Sequence, residues 1–196
     1  MTIKSEYLNQ FIKVTEVAAY GAYPFIGKGD KNAADKGAVD LMRKELNKID
    51  MDASIVIGEG EMDEAPMLYI GEKVGTKKGQ KLDIALDPIE GTNFVANNLA
   101  NSFSIMAVAE KGNLFSAPDT YMEKIAIGGN LPKNLLDLDN SIKENINLLC
   151  EAKNTIPEKI TACLLKRDRH NKIIEDLQKL KVKINFISDG DVAGAI

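Results

Sequence analysis

Twice in this chain a short apolar run of strand length leads without a break into a cluster of carboxylates. Ser54-Ile55-Val56-Ile57 runs into Gly58-Glu59-Gly60-Glu61-Met62-Asp63-Glu64, and Leu82-Asp83-Ile84-Ala85-Leu86 runs into Asp87-Pro88-Ile89-Glu90-Gly91-Thr92. Short apolar runs bounded by Gly, Pro and charge read as buried strands. Both strands therefore deliver acidic side chains at their ends. Crowding four carboxylates into one glycine-containing turn is costly unless cations neutralise them, and ligands made only of oxygen suit hard divalent ions such as Mg2+ or Mn2+. In the second segment Pro88 and Gly91 are expected to hold an acidic turn in which Asp87 and Glu90 converge.

The elements around these segments follow from periodicity. Leu8, Phe11, Ile12, Thr15, Ala18 and Ala19 recur at helical spacing and predict an amphipathic packing helix that ends before Tyr23-Pro24. A second helix is predicted over about 33–47, with Ala38, Leu41, Met42 and Leu46 inward and Asn32 as its N-cap. Residues 102–109 read as a strand entering a hairpin through Lys111-Gly112-Asn113, and 121–127 as another strand. Beyond Gly128-Gly129 the pattern becomes helix (about 141–153), strand (160–165), helix (170–180) and strand (184–187), a βαβ unit. A boundary is expected near 130–140, separating a metal-binding catalytic part, 1–135, from the start of a second α/β subdomain, 136–196. The sequence stops just as another helix begins, with no terminating signal, so a C-terminally truncated chain is expected.

Composition removes other classes of function. At 196 residues with 44% hydrophobic content the chain can bury a good core, and no apolar stretch approaches the roughly 20 residues that span a bilayer. The N-terminus lacks the pattern of a secretory signal, and a cytoplasmic protein is expected. A formal charge of -4 gives no global attraction to nucleic acid. Cys150 and Cys163 both sit in apolar stretches and are expected to be buried free thiols. The single His170 and the separated thiols leave no zinc cluster, and no Gly-x-x-x-x-Gly-Lys-Ser/Thr phosphate loop occurs. Gly58-x-Gly60 could begin a dinucleotide fingerprint, but Asp63 stands at the third glycine position and its acidic neighbours would repel a pyrophosphate.

Asp87-Pro88-Ile89-Glu90-Gly91-Thr92 resembles the Asp-Pro-hydrophobic-Asp/Glu-Gly-Ser/Thr signature of the metal-dependent sugar and inositol phosphatase superfamily. Further blocks narrow the resemblance: Gly29-Asp30-Lys31-Asn32-Ala33-Ala34-Asp35, Ile55 to Glu61, Ala65 to Glu72, Ala117 to Lys124, Arg169-His170 and Ser188 to Ala193 all look like class II fructose-1,6-bisphosphatase. The resemblance covers essentially the whole chain. It implies a mixed α/β (α+β) sugar-phosphatase fold of stacked layers, an αβαβα sandwich whose C-terminal part is incomplete here. It implies Mg2+ or Mn2+ as cofactor, with metal ligands at Asp35, Glu59, Asp87 and Glu90 and with Lys31 beside the reacting phosphate. Thr92 would orient or deprotonate the attacking water, at a helix start where Gly91 and free backbone N–H groups also meet the phosphate. Tyr121, Arg167, Arg169, Asp189 and Asp191 would hold the sugar and its distal phosphate. Lys166 competes with Arg167 for one phosphate role, and Arg167 is preferred because it lies two before Arg169. The implied partner is a small sugar bisphosphate, with no nucleic acid and no membrane, and a homo-oligomer is expected. Two departures from the family pattern matter: the alignment around Lys166 to His170 needs a one-residue shift, and the family chain is considerably longer, its later part supplying a further metal-binding Glu and a phosphate-binding Arg that have no counterpart here.

Plainer readings stand beside these. Asp35 could complete a capping box begun at Asn32, and Glu61, Asp63 and Glu64 could be solvated turn carboxylates. Glu90 could point away from the metals. Tyr121 could be a sheet aromatic, His170 could simply open a helix, and Asp189 and Asp191 could cap the final one.

Overall fold

The computed structural model describes residues 3–60, 66–116 and 120–196. Helix α1 (Tyr7–Ala22) lies against helix α2 (Lys31–Leu46). Tyr7, Val14, Ala18 and Ala22 are its buried face, whereas Leu8 and Ile12, expected inward, are 63% and 47% exposed. The smaller residues won because they allow the two helices to meet backbone to backbone. A Cβ added at Gly21 would lie 2.2 Å from the Gly37 carbonyl oxygen, and one at Gly37 would lie 2.4 Å from that of Gly21. A larger, more apolar face would have held the helices apart. Gly→Ala inside a helix ordinarily stabilises by about 1 kcal/mol. Here Gly37→Ala is expected to destabilise by about 1–3 kcal/mol through overpacking, read as a lowered Tm.

Helix α2 starts earlier than expected. Asp30, not Asn32, is its N-cap, with Oδ1 accepting the Ala33 N–H at 2.9 Å. An aspartate one residue before the first helical turn satisfies an N–H that Asn32, already inside that turn, cannot reach.

Four strands form one sheet: β1 (Met51–Ile57), β2 (Lys73–Val74), β3 (Gln80–Glu90) and, after the short helix α3 (Thr92–Ala96), β4 (Phe103–Glu110), in the order β2-β1-β3-β4. Strand β3 is parallel to β1, with Ile55 opposite Ile84, and antiparallel to β4, with Ile84 opposite Val108. Met51, Ala53, Ile55, Leu82, Ile84 and Leu86 make the alternate-residue face that packs with Ala38, Met42 and Leu46 of α2 in the main core. The parallel pairing decides the site, because it brings the C-terminal ends of β1 and β3 to the same edge. The expected turn at Asp87-Pro88-Ile89-Glu90 is instead the end of β3, with a register shift between Asp87 and Glu90. Pro88 donates no hydrogen bond, so it is tolerated where the ladder breaks. After β4 the chain turns at Lys111-Gly112-Asn113, and Gly112 N–H is held by the Asp83 carboxylate. No return strand completes the expected hairpin among the described residues.

The chain divides into two compact units, Met1–Thr120 and Tyr121–Ile196. The dividing point lies before the 130–140 region expected from the sequence. Residues 121–127 are not the expected strand: all are exposed, and none pairs with a described strand. In the second unit, helix α4 (Ile142–Ala152) opens with a capping box between Ser141 and Glu144. Strand β5 (Thr161–Leu165), helix α5 (Asn171–Lys179) and strand β6 (Lys183–Ile187) form the expected βαβ unit with parallel strands, followed by α6 (Asp191–Ala195). Ile146, Cys150, Ile160, Leu177 and Val182 form its core. Cys150 is buried as expected, but Cys163 is exposed, since neighbouring Ala162 and Leu164 take the face of β5 that packs on that core. Both units are mixed α/β. No helix among the described residues is long and apolar enough to cross a membrane.

Candidate active site

The Asp30 cap sets the phase of the first acidic contribution. It makes Lys31 the first residue of α2 and puts Asp35 one turn on, so the two lie on one face of the helix, Lys31 exposed and Asp35 half-buried. The loop before the cap is laced to α3: Gly27 N–H donates to Val95 O at 2.9 Å and Gly29 N–H to Ala96 O at 2.8 Å. The start of α2 is thereby tied to the short helix that begins at Thr92.

Glu59 follows the end of β1. The chain there passes so close to the returning segment that a Cβ on Gly58 would sit 2.1 Å from the Leu68 carbonyl oxygen. Glu59 N–H donates to that same oxygen at 3.0 Å. Its carboxyl group hydrogen-bonds the Asp35 carboxylate, a contact that needs a proton between them. Burial first, and then the Asp35 charge, push the Glu59 pKa up to about 7; burial also raises Asp35, partly offset by the hydrogen bond from Glu59. The capping-box alternative for Asp35 is not what forms, since its carboxylate is engaged by Glu59.

The second pair sits at the end of β3. Asp87 Oδ1 accepts the Ile89 N–H at 3.0 Å, which fixes the carboxylate at the bulge. Glu90, 9% exposed, hydrogen-bonds it from three residues further along β3. Burial, then Glu90 and then the charge of Glu59 push Asp87 up to about 8. The alternative of Glu90 pointing away from the cluster is not observed. Gly91 (φ 77°) occupies the left-handed region and reverses the chain into Thr92, the first residue of α3. Ser102 Oγ donates to Glu90 O at 2.9 Å and anchors the reversal.

Ile57 pairs with Ala85, so Glu59 and Asp87, each two residues further on, meet at the shared strand edge. The acidic groups are two pairs linked by the Glu59–Asp87 repulsion; among the described residues no three of them already converge as a closed ligand set. That donor chemistry fits hard divalent ions which keep several coordination positions for water and phosphate oxygens, and does not fit zinc. Opposite charge between the pairs would reverse both pKa shifts. Glu61, Asp63 and Glu64 lie outside the described residues, as does 117–119 of the Ala117-to-Lys124 block.

The remaining expected residues all belong to the second unit. The Arg169 guanidinium carbon lies 4.1 Å from the centroid of the Tyr121 ring, a cation–π contact that leaves Tyr121 82% exposed rather than packed in a sheet. Arg167 leaves the end of β5 and donates to Ser188 O at 2.6 Å and Lys166 O at 3.1 Å, which sets it beside the Asp189 loop. Lys166 turns elsewhere, its Nζ 5.9 Å from the Phe186 ring. Asp191 opens α6, whose N-cap is Gly190 in the left-handed conformation. His170 sits at the start of α5 with Nδ1 2.7 Å from Leu165 O, a local structural contact. The structure thus pairs Asp35 with Glu59 and Asp87 with Glu90, ties the segments that carry Lys31 and Thr92 together through backbone hydrogen bonds, and joins Tyr121 to Arg169.

Sequence reasoning missed Arg43 and Glu72. Glu72 is buried, and its carboxylate receives Arg43 Nε at 2.6 Å and the Leu68 N–H. Nothing in their spacing, 29 residues apart, marks them as a pair.

The profile of the family described as bacterial fructose-1,6-bisphosphatase, glpX-encoded, matches residues 5–196. Fructose-1,6-bisphosphatase 1 class 2 of Escherichia coli K12 is 45% identical over 194 residues, covering 99% of this chain and 57% of the relative. The class 2 enzyme of Haemophilus influenzae is 46% identical over 187 residues, covering 95% and 56%. The D-fructose 1,6-bisphosphatase class 2/sedoheptulose 1,7-bisphosphatase of Thermosynechococcus vestitus is 43% identical over 199 residues, covering 95% and 57%. The chain therefore spans a little over half the length of these relatives. With a match across nearly all of its own length, and with the acidic segments assembled at one sheet edge, the chain belongs to the bacterial, glpX-encoded fructose-1,6-bisphosphatase family.

Proposed function

We propose that this chain carries the metal-binding half of a phosphatase that hydrolyses the 1-phosphate of fructose 1,6-bisphosphate, giving fructose 6-phosphate and phosphate, a cytoplasmic step of gluconeogenesis and glycerol metabolism. The observation that carries this is the two partly buried carboxylate pairs, Asp35–Glu59 and Asp87–Glu90, where helix α2 meets the shared ends of two parallel strands. Crevices at the C-terminal ends of parallel strands are where open α/β sheets bind ligands.

The pairs would hold Mg2+ or Mn2+. When bound, such ions acidify water and offset negative charge on phosphoryl oxygens. The chain's own residues do the rest. Thr92 Oγ1 orients the attacking water and passes its proton toward a neighbouring carboxylate, while the water oxygen bonds to phosphorus and the bond to the sugar oxygen breaks. That sugar oxygen leaves with a proton taken from solvent water. Lys31, at the exposed start of α2, adds positive charge on the phosphoryl side. Tyr121, Arg167, Arg169, Asp189 and Asp191 are the candidates for the sugar and distal phosphate. The Arg167 fork at a strand end suits a phosphate, and the two aspartates suit hydroxyls. A homo-oligomer remains part of the proposal.

A second substrate, sedoheptulose 1,7-bisphosphate, is favoured by the names of relatives such as that of Thermosynechococcus vestitus. A non-enzymatic reading, in which this chain only binds metal or sugar phosphate, is favoured by its covering just over half of its relatives. Phosphate release from each bisphosphate, measured with Mn2+, then Mg2+, then excess chelator, separates them. Turnover that needs metal is the expected result. Binding of Mn2+ without turnover supports the binding-only reading, and neither binding nor turnover by folded chain overturns the assignment.

A further inference from the structure

Four contacts connect the two elements that carry Asp35 and Glu59. Arg43, in the last turn of α2, is paired with Glu72 at 2.6 Å, and the Glu72 side chain is only 5% exposed. The other oxygen of that carboxylate accepts the N–H of Leu68. Leu68 is fully buried at φ 55°, a conformation unfavourable for a branched side chain and held only where the surroundings impose it. The carbonyl oxygen of the same Leu68 receives the Glu59 N–H at 3.0 Å. The Glu72 backbone is in turn fixed to β1, its oxygen accepting the Ile55 N–H at 2.9 Å. Asp35 rides on the same rigid helix as Arg43.

We infer that Arg43 and Glu72 form a positioning latch that holds the Glu59 segment against α2, so that Glu59 and Asp35 keep the spacing needed to share one divalent cation. The inference rests on the metal-site reading above. The charge pair is neither a metal ligand nor in contact with substrate. Its reach is through Leu68: an unpaired Glu72 would release the Leu68 N–H, the strained Leu68 would relax, and the Glu59 backbone would lose its acceptor. Groups that orient ligands without touching the metal typically alter metal affinity by about 10–100-fold.

The test is Mn2+ affinity of this chain, read by the electron paramagnetic resonance signal of free Mn2+, together with amide exchange at Glu59 and Leu68. Arg43→Met keeps the unbranched apolar stem of the side chain and removes its charge; Glu72→Gln keeps the shape and removes the other charge. Each is expected to weaken Mn2+ binding at least about tenfold and to speed exchange at both amides. Arg43→Lys keeps the charge and is expected to recover most of the affinity. Tyr7→Phe serves as the control, because it removes a hydroxyl that donates to Asp50 O at 2.7 Å and is expected to lower stability without changing Mn2+ affinity. If Arg43→Met and Glu72→Gln lower Tm but bind Mn2+ as the parent does, the latch is overturned and the pair is structural only. If the parent chain binds no Mn2+, the metal-site reading falls and the latch with it.

Discussion

Asp87→Asn is expected to lower metal-dependent phosphate release at least about 1000-fold while making the metal-free chain more stable at pH 8. The two effects have one origin. Asp87 is half-buried beside Glu90; burial first, then Glu90 and then the Glu59 charge push its pKa up to about 8. Keeping a carboxylate there strains the metal-free fold, and on the proposed reading a bound divalent cation would relieve that strain. The amide keeps the size of the side chain and an oxygen for the Ile89 N–H, which Asp87 Oδ1 accepts at 3.0 Å. It removes the negative charge that the proposed cation site would use. Loss of turnover without a gain in Tm would mean that Asp87 is not held under electrostatic stress. A gain in Tm with full turnover would remove it from the proposed catalytic set. Thr92→Val provides a contrast, since it should reduce turnover and leave metal affinity near the parent value.

The second large effect is on stability against pH. Glu59 and Asp87 have folded-state pKa values of about 7 and about 8, both raised above their ordinary values of 4.5 and 3.8. Between the ordinary and the raised values the folded chain binds more protons than the unfolded chain, so its stability falls as pH rises through that window. The contribution is fully present below about pH 4 and is lost by about pH 8. Tm of the metal-free chain is therefore expected to drop by on the order of 10 °C between pH 5 and pH 8. Saturating Mn2+ should flatten that slope, because a ligand at 100 times its Kd adds about 2.7 kcal/mol to the folded state, and the bound ion favours the ionised carboxylates. Differential scanning calorimetry at several pH values, with and without Mn2+, reads both. A Tm that rises steadily from pH 5 to pH 8 in chelator would contradict the paired-carboxylate geometry.

Much of this was legible in the sequence, and for identifiable reasons. Short apolar runs marked β1 and β3, helical periodicity marked α1 and α2, and the alternation of helix and strand after residue 140 marked the βαβ unit, since each is a local pattern of burial. The acidic residues that matter stand next to one another along the chain or close to a strand end. Glu59, Asp87, Glu90 and Thr92 could therefore be singled out without a structure.

Other features depend on which surfaces meet. Periodicity alone made Leu8 and Ile12 the natural inward residues of α1, but close approach of Gly21 and Gly37 rewarded the small-residue face. Asp87-Pro88-Ile89-Glu90 carried the chemistry of a turn, yet pairing with β4 drew it into a bulged strand end. Residues 121–127 had the composition of a strand and no described strand to pair with.

By itself, then, the sequence determined the elements, the acidic residue types at two strand ends and the family, because these are properties of neighbours along the chain. Only the tertiary structure decided that β1 and β3 run parallel, that Asp35 reaches Glu59 from another element, and that Arg43 meets Glu72 across 29 residues. Those outcomes depend on long-range packing and on the burial of charge, which no local pattern of residues contains.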